Sequence, residues 1–295
     1  GFVAVLGVPN VGKSTLVNRL TGRKVAAVSA KPQTTRRAIL GIRTESGCQI
    51  VFVDTPGVAA TPGRLGEAMN RAATGHARDA DLALYVVSAE APEGGRDLER
   101  LVGARRKPTF LVINKIDRIP KPMLLPLMER LRAKAEFDEI VPVSASLGDG
   151  TDLLLELVRK RLPEGPRWYE DDPAGRAEPD RFLVQEIIQE HLFGNLHQEI
   201  PYSCAVMIVA HELDGSMLRV EATILVERDG HKGIVIGEGG SRLKEIGTAA
   251  RLELEKLRGG KVFLKLWVKV EEDWRERHTI LKDLGYYGDT AADHG

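Results

Sequence analysis

Cysteine is scarce in this chain, with two among 295 residues. Cys48 and Cys204 stand far apart and match no metal-ligand spacing, so a cysteine-built metal centre is excluded and two free, buried thiols of a reducing compartment are expected. Net charge is missing too: 42 basic residues balance 42 acidic ones, and no global field points to a polyanionic partner. No apolar run approaches the roughly 18 residues that span a bilayer, and the opening residues read as a strand rather than a secretory leader. These absences point to a soluble, cytoplasmic protein without a transmembrane segment. Because the chain starts directly on strand-like sequence, a few native residues are expected to precede Gly1.

The charge balance conceals an asymmetry. From Arg176 onward there are 16 basic and 21 acidic residues, so the first 175 residues carry the compensating positive excess. Within the acidic part, residues 228–269 reverse the sign locally, with 10 basic and 5 acidic side chains. The length suggests about two domains. A stretch holding Pro163, Pro166, Pro173 and Pro179 among acidic residues and glycine reads as a linker. The expected division is therefore 1–162, a linker over 163–180, and 181–295.

The first part is organised around one loop. Phe2-Val3-Ala4-Val5-Leu6 reads as a buried strand, and Leu16-Val17-Asn18-Arg19-Leu20 as a helix. Between them stand Gly7, Val8, Pro9, Asn10, Val11, Gly12, Lys13, Ser14 and Thr15. Glycines at both ends let backbone N–H groups turn inward around an anion, and the helix adds the positive end of its dipole. The expected guest is a nucleotide phosphate, with Lys13 reaching the β and γ phosphates and the Ser14 hydroxyl on a magnesium ion.

Downstream, the other polar signals fall at strand ends. Ala38–Ile42 and Gln49–Val53 read as an antiparallel pair about Glu45-Ser46-Gly47, and the second run closes on Asp54-Thr55-Pro56-Gly57. Asp54 suits a magnesium-bridging carboxylate, and Gly57 lets a backbone N–H approach a γ phosphate. A helix is expected over 64–80, a strand over 81–87, a helix over 98–106 and a strand over 109–113. That last strand exits into Asn114-Lys115-Ile116-Asp117. A carboxylate at Asp117 accepts two parallel hydrogen bonds from guanine N1–H and its exocyclic amine, which adenine cannot supply. Lys115 can lay its stem on the base, and Asn114 can tie this loop to the phosphate loop. After the strand Glu139–Val143, the small residues Ser144, Ala145 and Ser146 leave room for a backbone amide to meet guanine O6, and a helix over 151–161 closes the unit. Strands alternating with helices, every signal at a strand's C-terminal end, predict an α/β fold with a mostly parallel sheet.

Beyond the linker, an amphipathic helix starts at Arg181, with Phe182, Ile187 and Leu192 among its apolar side chains. Strands over 203–209 and 218–226 are joined by the hairpin signal Asp214-Gly215. A helix around His231–Ile236, a helix over 241–258 and a strand over 262–270 complete the order αββααβ. Gly237-Glu238-Gly239-Gly240 joins the two central helices, and such a loop lets a nucleic-acid backbone press close because obstructing side chains are absent. The candidate RNA-binding residues are Lys232, Gly233, Ile236, Gly237, Gly240, Arg242 and Lys244, with Arg251 also able to meet phosphate. Glu238 in the loop works against phosphate binding.

The motifs Gly7–Ser14, Pro32-Gln33-Thr34-Thr35-Arg36, Asp54–Gly57, Asn114–Asp117, Ser144-Ala145-Ser146, Glu199-Ile200-Pro201-Tyr202-Ser203, Gly233–Gly237 and Leu281-Lys282-Asp283-Leu284-Gly285-Tyr286 resemble those of the bacterial Era GTPases across nearly the whole length. The resemblance implies a P-loop GTPase domain followed by an α+β type II KH domain with a C-terminal helix. It implies GTP binding with Mg2+ and slow hydrolysis to GDP and phosphate. It also implies binding of the 3′ region of small-subunit ribosomal RNA, and hence of the small ribosomal subunit, during its assembly. Peripheral contact with the inner face of the cell membrane is a family-level expectation only. Lys13, Thr35, Gly57 and Asn10 are the expected hydrolysis residues, with Ser14, Thr35 and Asp54 the metal set; Thr34 is the weaker alternative to Thr35. Val58 stands where Ras-type enzymes carry a water-orienting glutamine and cannot do that task. Asn10 is similar to the asparagine of relatives that bind K+ beside the phosphates. Two other functions stay open at this level: a constitutive RNA-binding assembly factor with structural nucleotide, and a GTPase acting on a protein or membrane partner.

Overall fold

The computed structural model describes residues 1–29, 31, 35–57, 63–92, 107–169 and 180–287. The expected helix over 98–106, the residues Pro32, Gln33, Thr34 and Val58, and the linker prolines Pro173 and Pro179 lie outside the described residues. The chain separates into two compact units, one built from the N-terminal half and one from the C-terminal part together with short segments that include Val28 and Arg64.

The first unit is a six-stranded sheet ordered β2-β3-β1-β4-β5-β6. Its strands are β1 (Phe2–Leu6), β2 (Ile39–Glu45), β3 (Cys48–Asp54), β4 (Leu82–Ser88), β5 (Thr109–Asn114) and β6 (Glu139–Pro142). All pairings are parallel except β2 with β3. Helices α1 (Lys13–Thr21), α3 (Leu124–Arg132) and α4 (Thr151–Arg161) accompany it, with α2 (Gly63–Asp79) from Ala68 onward. β1 shows why these strands read as unbroken apolar runs. Val3 and Val5 pack with Leu16, Val17 and Leu20 of α1 and Leu154 and Val158 of α4. Ala4 and Leu6 face the other way, into a cluster with Tyr85, Leu111, Leu127 and Leu131. With both faces covered, alternation loses its polar half. Each large aliphatic side chain so buried contributes about 1.5–3 kcal/mol.

Helix α3 carries no clear signal in the sequence. Pro126 within Leu124-Leu125-Pro126-Leu127 interrupts the helical pattern, yet it sits in the first turn, where a missing N–H costs no intrahelical bond. Leu127 and Leu131, four apart, bury one face, while Leu125 stays 71% exposed.

The second unit has a three-stranded sheet, β7 (Cys204–Asp214), β8 (Met217–Val226) and β9 (Val262–Val270), ordered β7-β8-β9. β7 and β8 form an antiparallel hairpin, with a register shift between Ile208 and Ala210, and β9 lies parallel to β8 at the other edge. Its helices are α5 (Arg181–Asn195), α6 (Asp229–Ile236), α7 (Ser241–Arg258) and α8 (His278–Asp283). The described elements from α5 to β9 follow the expected αββααβ order. α5 begins where Asp180 accepts a hydrogen bond from Leu183 N at 2.6 Å, an N-cap contributing about 1 kcal/mol. Val184, Ile187, Ile188 and Leu192 on α5 and Ile246, Ala250 and Leu254 on α7 pack with Val206, Val220 and Ile224 of the sheet.

Of the apolar side chains expected on α5, Ile187 and Leu192 are buried and Phe182, in the first turn, is 48% exposed. Cys204 is buried as expected, whereas Cys48 is only half-buried at the start of β3; both are free thiols.

Candidate nucleotide site and GxxG loop

The C-terminal ends of β1, β3, β5 and β6 deliver four loops to one edge of the first sheet, the usual ligand crevice of such folds. After β1 the chain enters the glycine loop with Gly7 at φ 144°, Asn10 at 65° and Gly12 at 93°. Glycine is required at both ends. A Cβ at Gly7 would run into the Val86 carbonyl oxygen, and one at Gly12 into the Asn114 side chain. Gly57 is a third close approach, where a Cβ would stand 2.8 Å from Pro9 N.

Lys13, in the first turn of α1, is buried and donates to the carbonyls of Gly7 (3.0 Å) and Val8 (3.1 Å). Burial pulls its pKa down to about 8, against the opposing pull of Asp54. Burial likewise pushes the Asp54 carboxyl up to about 6, offset in part by Lys13 and by the Ser14 hydrogen bond. The pair is thus a buried cation and a buried acid whose charges are incompletely compensated.

Asp54 Oδ2 accepts the Ser14 hydroxyl at 2.6 Å, and Ser14 Oγ lies 3.0 Å from Thr35 Oγ1. Asp54 Oδ1 is buried with no hydrogen-bond partner among the described residues. Three converging oxygens, one an orphaned carboxylate oxygen, match the hard-oxygen donor set that magnesium takes alongside phosphates. Three of the residues expected around the metal are therefore together, although 40 positions separate Ser14 from Asp54.

Asn114 joins the loops. Its Nδ2 donates to Val11 O at 2.8 Å, and its Oδ1 accepts from Lys115 N at 2.8 Å and Ala145 N at 3.0 Å. Lys115 follows in the left-handed region (φ 63°), with its Nζ 3.6 Å from Glu90. Asp117 Oδ1 accepts from Ser144 Oγ at 2.6 Å, and Arg118 Nε stands 3.4 Å from its other oxygen. Ser146 Oγ lies 3.2 Å from that of Ser144.

Two side-chain contributions here carry no sequence signal. Ser144 orients Asp117 through its hydroxyl, beyond the backbone role expected of its loop. Arg19 donates from α1 to the carbonyls of Ala145 (3.0 Å) and Ser146 (2.5 Å), holding the base loop to the phosphate helix across 126 positions.

The GxxG loop in the second unit is built differently. α6 ends at Ile236 and Gly237 N returns to Gly233 O at 2.9 Å. Gly237, Gly239 and Gly240 take φ 74°, 56° and 80°. A Cβ at Gly237 would press within 2.8 Å of Arg242 Cβ, but at Gly239 and Gly240 it would meet open space. Arg242 donates to Ile234 O at 2.6 Å, and Arg251 pairs with Glu255 at 2.9 Å. Lys244 and Glu238 are exposed, while Lys232 and Ile236 are half-buried.

Residues 2–115 match a family described as 50S ribosome-binding GTPase, and residues 199–275 match the KH domain. GTPase Era of Geobacter metallireducens is 47% identical over 291 residues, covering 97% of both chains. GTPase Era of Lactobacillus delbrueckii subsp. bulgaricus is 46% identical over 97% of this chain and 95% of its own. The chain belongs to the Era GTPase family. It is accordingly a GTP-binding enzyme that hydrolyses GTP to GDP and phosphate, with a KH domain behind the GTPase domain. Two solved Era structures share its fold at a TM-score of 0.89 and 39% identity, each covering 97% of this chain and 98% of its own. One is a variant of the Aquifex aeolicus protein bound to GDP and aluminium fluoride, and the other an Era complex with MgGDPNP and nucleotides 1506–1542 of 16S ribosomal RNA.

Proposed function

We propose that this Era-family GTPase is a switch in small ribosomal subunit assembly, binding the 3′ region of small-subunit ribosomal RNA through the GxxG loop in a way that depends on bound nucleotide. The observation that carries the proposal is the loop itself: Gly239 and Gly240 are held at positive φ with no atom of the described residues near their missing side chains. Glycines kept open toward solvent suit a nucleic-acid backbone lying against them. The relative's complex with 16S RNA supports the small subunit as the partner, and is more specific than the 50S wording of the broader family. The work belongs in the cytoplasm; among the described residues no helix is long and apolar enough to cross a membrane. The G domain is taken as 1–162, the linker as 163–180 and the RNA-binding half as 181–295.

In the GTPase domain, the loop Gly7–Thr15 cradles the phosphates and Asp117 reads guanine. Ser14, Thr35 and Asp54 would hold magnesium, which when bound neutralises charge on the β and γ phosphates. Lys13 must exchange its carbonyl partners for phosphate oxygens, and the Gly57 N–H, close to Pro9, meets the γ phosphate. Thr35 links metal and γ phosphate, so its segment is the element that senses hydrolysis. Asn10, in a left-handed turn beside the phosphates, is the residue we assign to a K+ ion, whose charge would offset that developing in the transition state. Turnover in K+ is expected to exceed that in Na+, with Asn10→Ala removing the difference; equal rates in the two salts would remove the ion from the mechanism.

The test of the whole reading is the rate of GTP turnover with and without RNA of nucleotides 1506–1542, together with RNA affinity in the GTP-analogue and GDP states. A sequence-selective rise in rate and unequal affinities are expected. Equal values throughout would instead favour a constitutive RNA-binding factor.

A further inference from the structure

The open face of β9 carries a pattern that the GxxG loop does not use. Leu264, Leu266, Val268 and Val270 pack against the core of the second unit. The alternate residues Phe263, Lys265, Trp267 and Lys269 are all exposed, so every outward residue over this span is aromatic or cationic. Phe263 is 38% and Trp267 51% exposed. The neighbouring strand presents Arg219 opposite Phe263, Glu221 opposite Lys265 and Thr223 opposite Trp267. Arg219 Cζ lies 5.0 Å from the Phe263 ring centroid and Lys265 Nζ 4.4 Å from that of Trp267. Two carboxylates are close by: Glu221 is 3.5 Å from Arg219, and Glu271 is 2.8 Å from Lys269.

Lysines alone would suffice to keep an edge strand from pairing with another chain. A half-exposed tryptophan and a phenylalanine are unnecessary for that and add exposed apolar area. Rings alternating with cations at strand spacing, about 6.6–7 Å between side chains on one face, are instead what stacked bases and their phosphates match.

We propose that this face of β8 and β9 is a second RNA contact, a stacking platform for unpaired bases. The rings of Phe263 and Trp267 take bases, and Arg219, Lys265 and Lys269 turn from the rings and carboxylates to phosphates. The proposal rests on the RNA-binding reading above and extends it along the same strand. β9 is the sheet edge, and Leu266 meets Gly247 of α7 from its inward side. α6, which leads into the GxxG loop, also packs on β9. An RNA strand leaving that loop thus reaches the platform by crossing a single strand edge. The local basic excess of residues 228–269, which includes Lys265 and Lys269, supplies the complementary charge.

The test uses the full chain and a fluorescently labelled RNA of nucleotides 1506–1542 at fixed salt. Phe263→Ala with Trp267→Ala is expected to weaken binding about tenfold or more, since each ring would lose a stacked base. Phe263→Tyr with Trp267→Phe should bind within about twofold of the parent, and neither pair should change GTP turnover without RNA. In a Trp168→Phe background, RNA should quench Trp267 emission, because Trp274 is fully buried. If the alanine pair binds normally while Gly237→Asp with Gly240→Asp loses RNA, the platform is overturned and the GxxG reading survives. Should only the alanine pair lose RNA, the platform stands and the loop reading falls. Normal RNA binding by both variants overturns both. Normal RNA affinity of the alanine pair with lost association to small ribosomal subunits would make the face a protein-docking surface and overturn the platform.

Discussion

The two glycine loops of this chain use the same residue for opposite physical reasons. In the nucleotide site, glycines at Gly7, Gly12 and Gly57 exist because the protein itself comes too close for a Cβ. In the GxxG loop, Gly239 and Gly240 have nothing near them, and their absence of side chain leaves space for something else. The first loop is closely packed by the protein's own atoms. The second is an open surface. Positive φ alone does not separate the cases; the surroundings of the missing Cβ do.

The contrast breaks most visibly at Gly12. Gly12→Ala adds left-handed strain of about 1–2 kcal/mol. It also drives a methyl into an Asn114 side chain that its hydrogen bonds hold in place. Loss of guanine-nucleotide binding by a thousandfold or thereabouts is expected in a fluorescent-GDP titration; a value within tenfold of the parent would show that Asn114 can move. Next in size is Asp117→Asn, which replaces two acceptors by one acceptor and one donor. GTP affinity should fall by about a hundredfold, while xanthosine triphosphate, with an acceptor in place of the amine, gains. Competition between the two nucleotides measures the exchange, and unchanged preference for GTP would remove Asp117 from base reading.

A pH series sharpens the comparison because burial moves Lys13 and Asp54. Lys13 stands at about 8 and Asp54 at about 6 without nucleotide. Phosphate needs charged Lys13, so binding takes up a proton above about 8 and affinity falls as pH rises. Magnesium needs ionised Asp54, so binding releases a proton below about 6 and affinity falls as pH drops. Each limb should approach about tenfold per pH unit, with a plateau between them. A flat profile from pH 5 to about 9 would mean that Lys13 and Asp54 keep ordinary pKa values. The smallest effect is expected at Gly239→Ala. Its methyl enters open space, so GTP turnover without RNA stays unchanged and the cost is left-handed strain plus a crowded RNA backbone. RNA of nucleotides 1506–1542 should bind about three- to tenfold more weakly, and unaltered affinity would leave the open loop without its assigned partner.

Much of the candidate nucleotide site was legible because its polar residues end buried strands. Lys13, Asp54, Asn114 and Asp117 each stand at a fixed offset from an apolar run, and parallel strands carry such ends to one edge. The αββααβ order was equally legible, since Asp214-Gly215 and Gly237 to Gly240 punctuate distinct hydrophobic periods. Helix α3 was not, as Pro126 masks a pattern whose only buried anchors are Leu127 and Leu131. The exposure of Phe182 was not legible either, because being apolar does not tell whether the first turn of a helix is covered. The hydrogen bonds of Arg19 and Ser144 were beyond reach for another reason: their partners lie far away in sequence, and neither residue type implies them.

Sequence by itself determined which residue types stand at short spacing, and so the chemistry proposed for them: a phosphate loop, a carboxylate suited to guanine, oxygens suited to magnesium and a glycine loop inside αββααβ. Tertiary structure alone decided which of these groups meet. It placed Ser14 within hydrogen-bonding reach of both Thr35 and Asp54. It buried Lys13 and Asp54 deeply enough to shift both, because desolvation depends on everything packed around a group and not on its neighbours in the chain. It also divided the glycines into those the protein crowds and those it leaves open, a distinction held in distances between residues that the linear order does not contain.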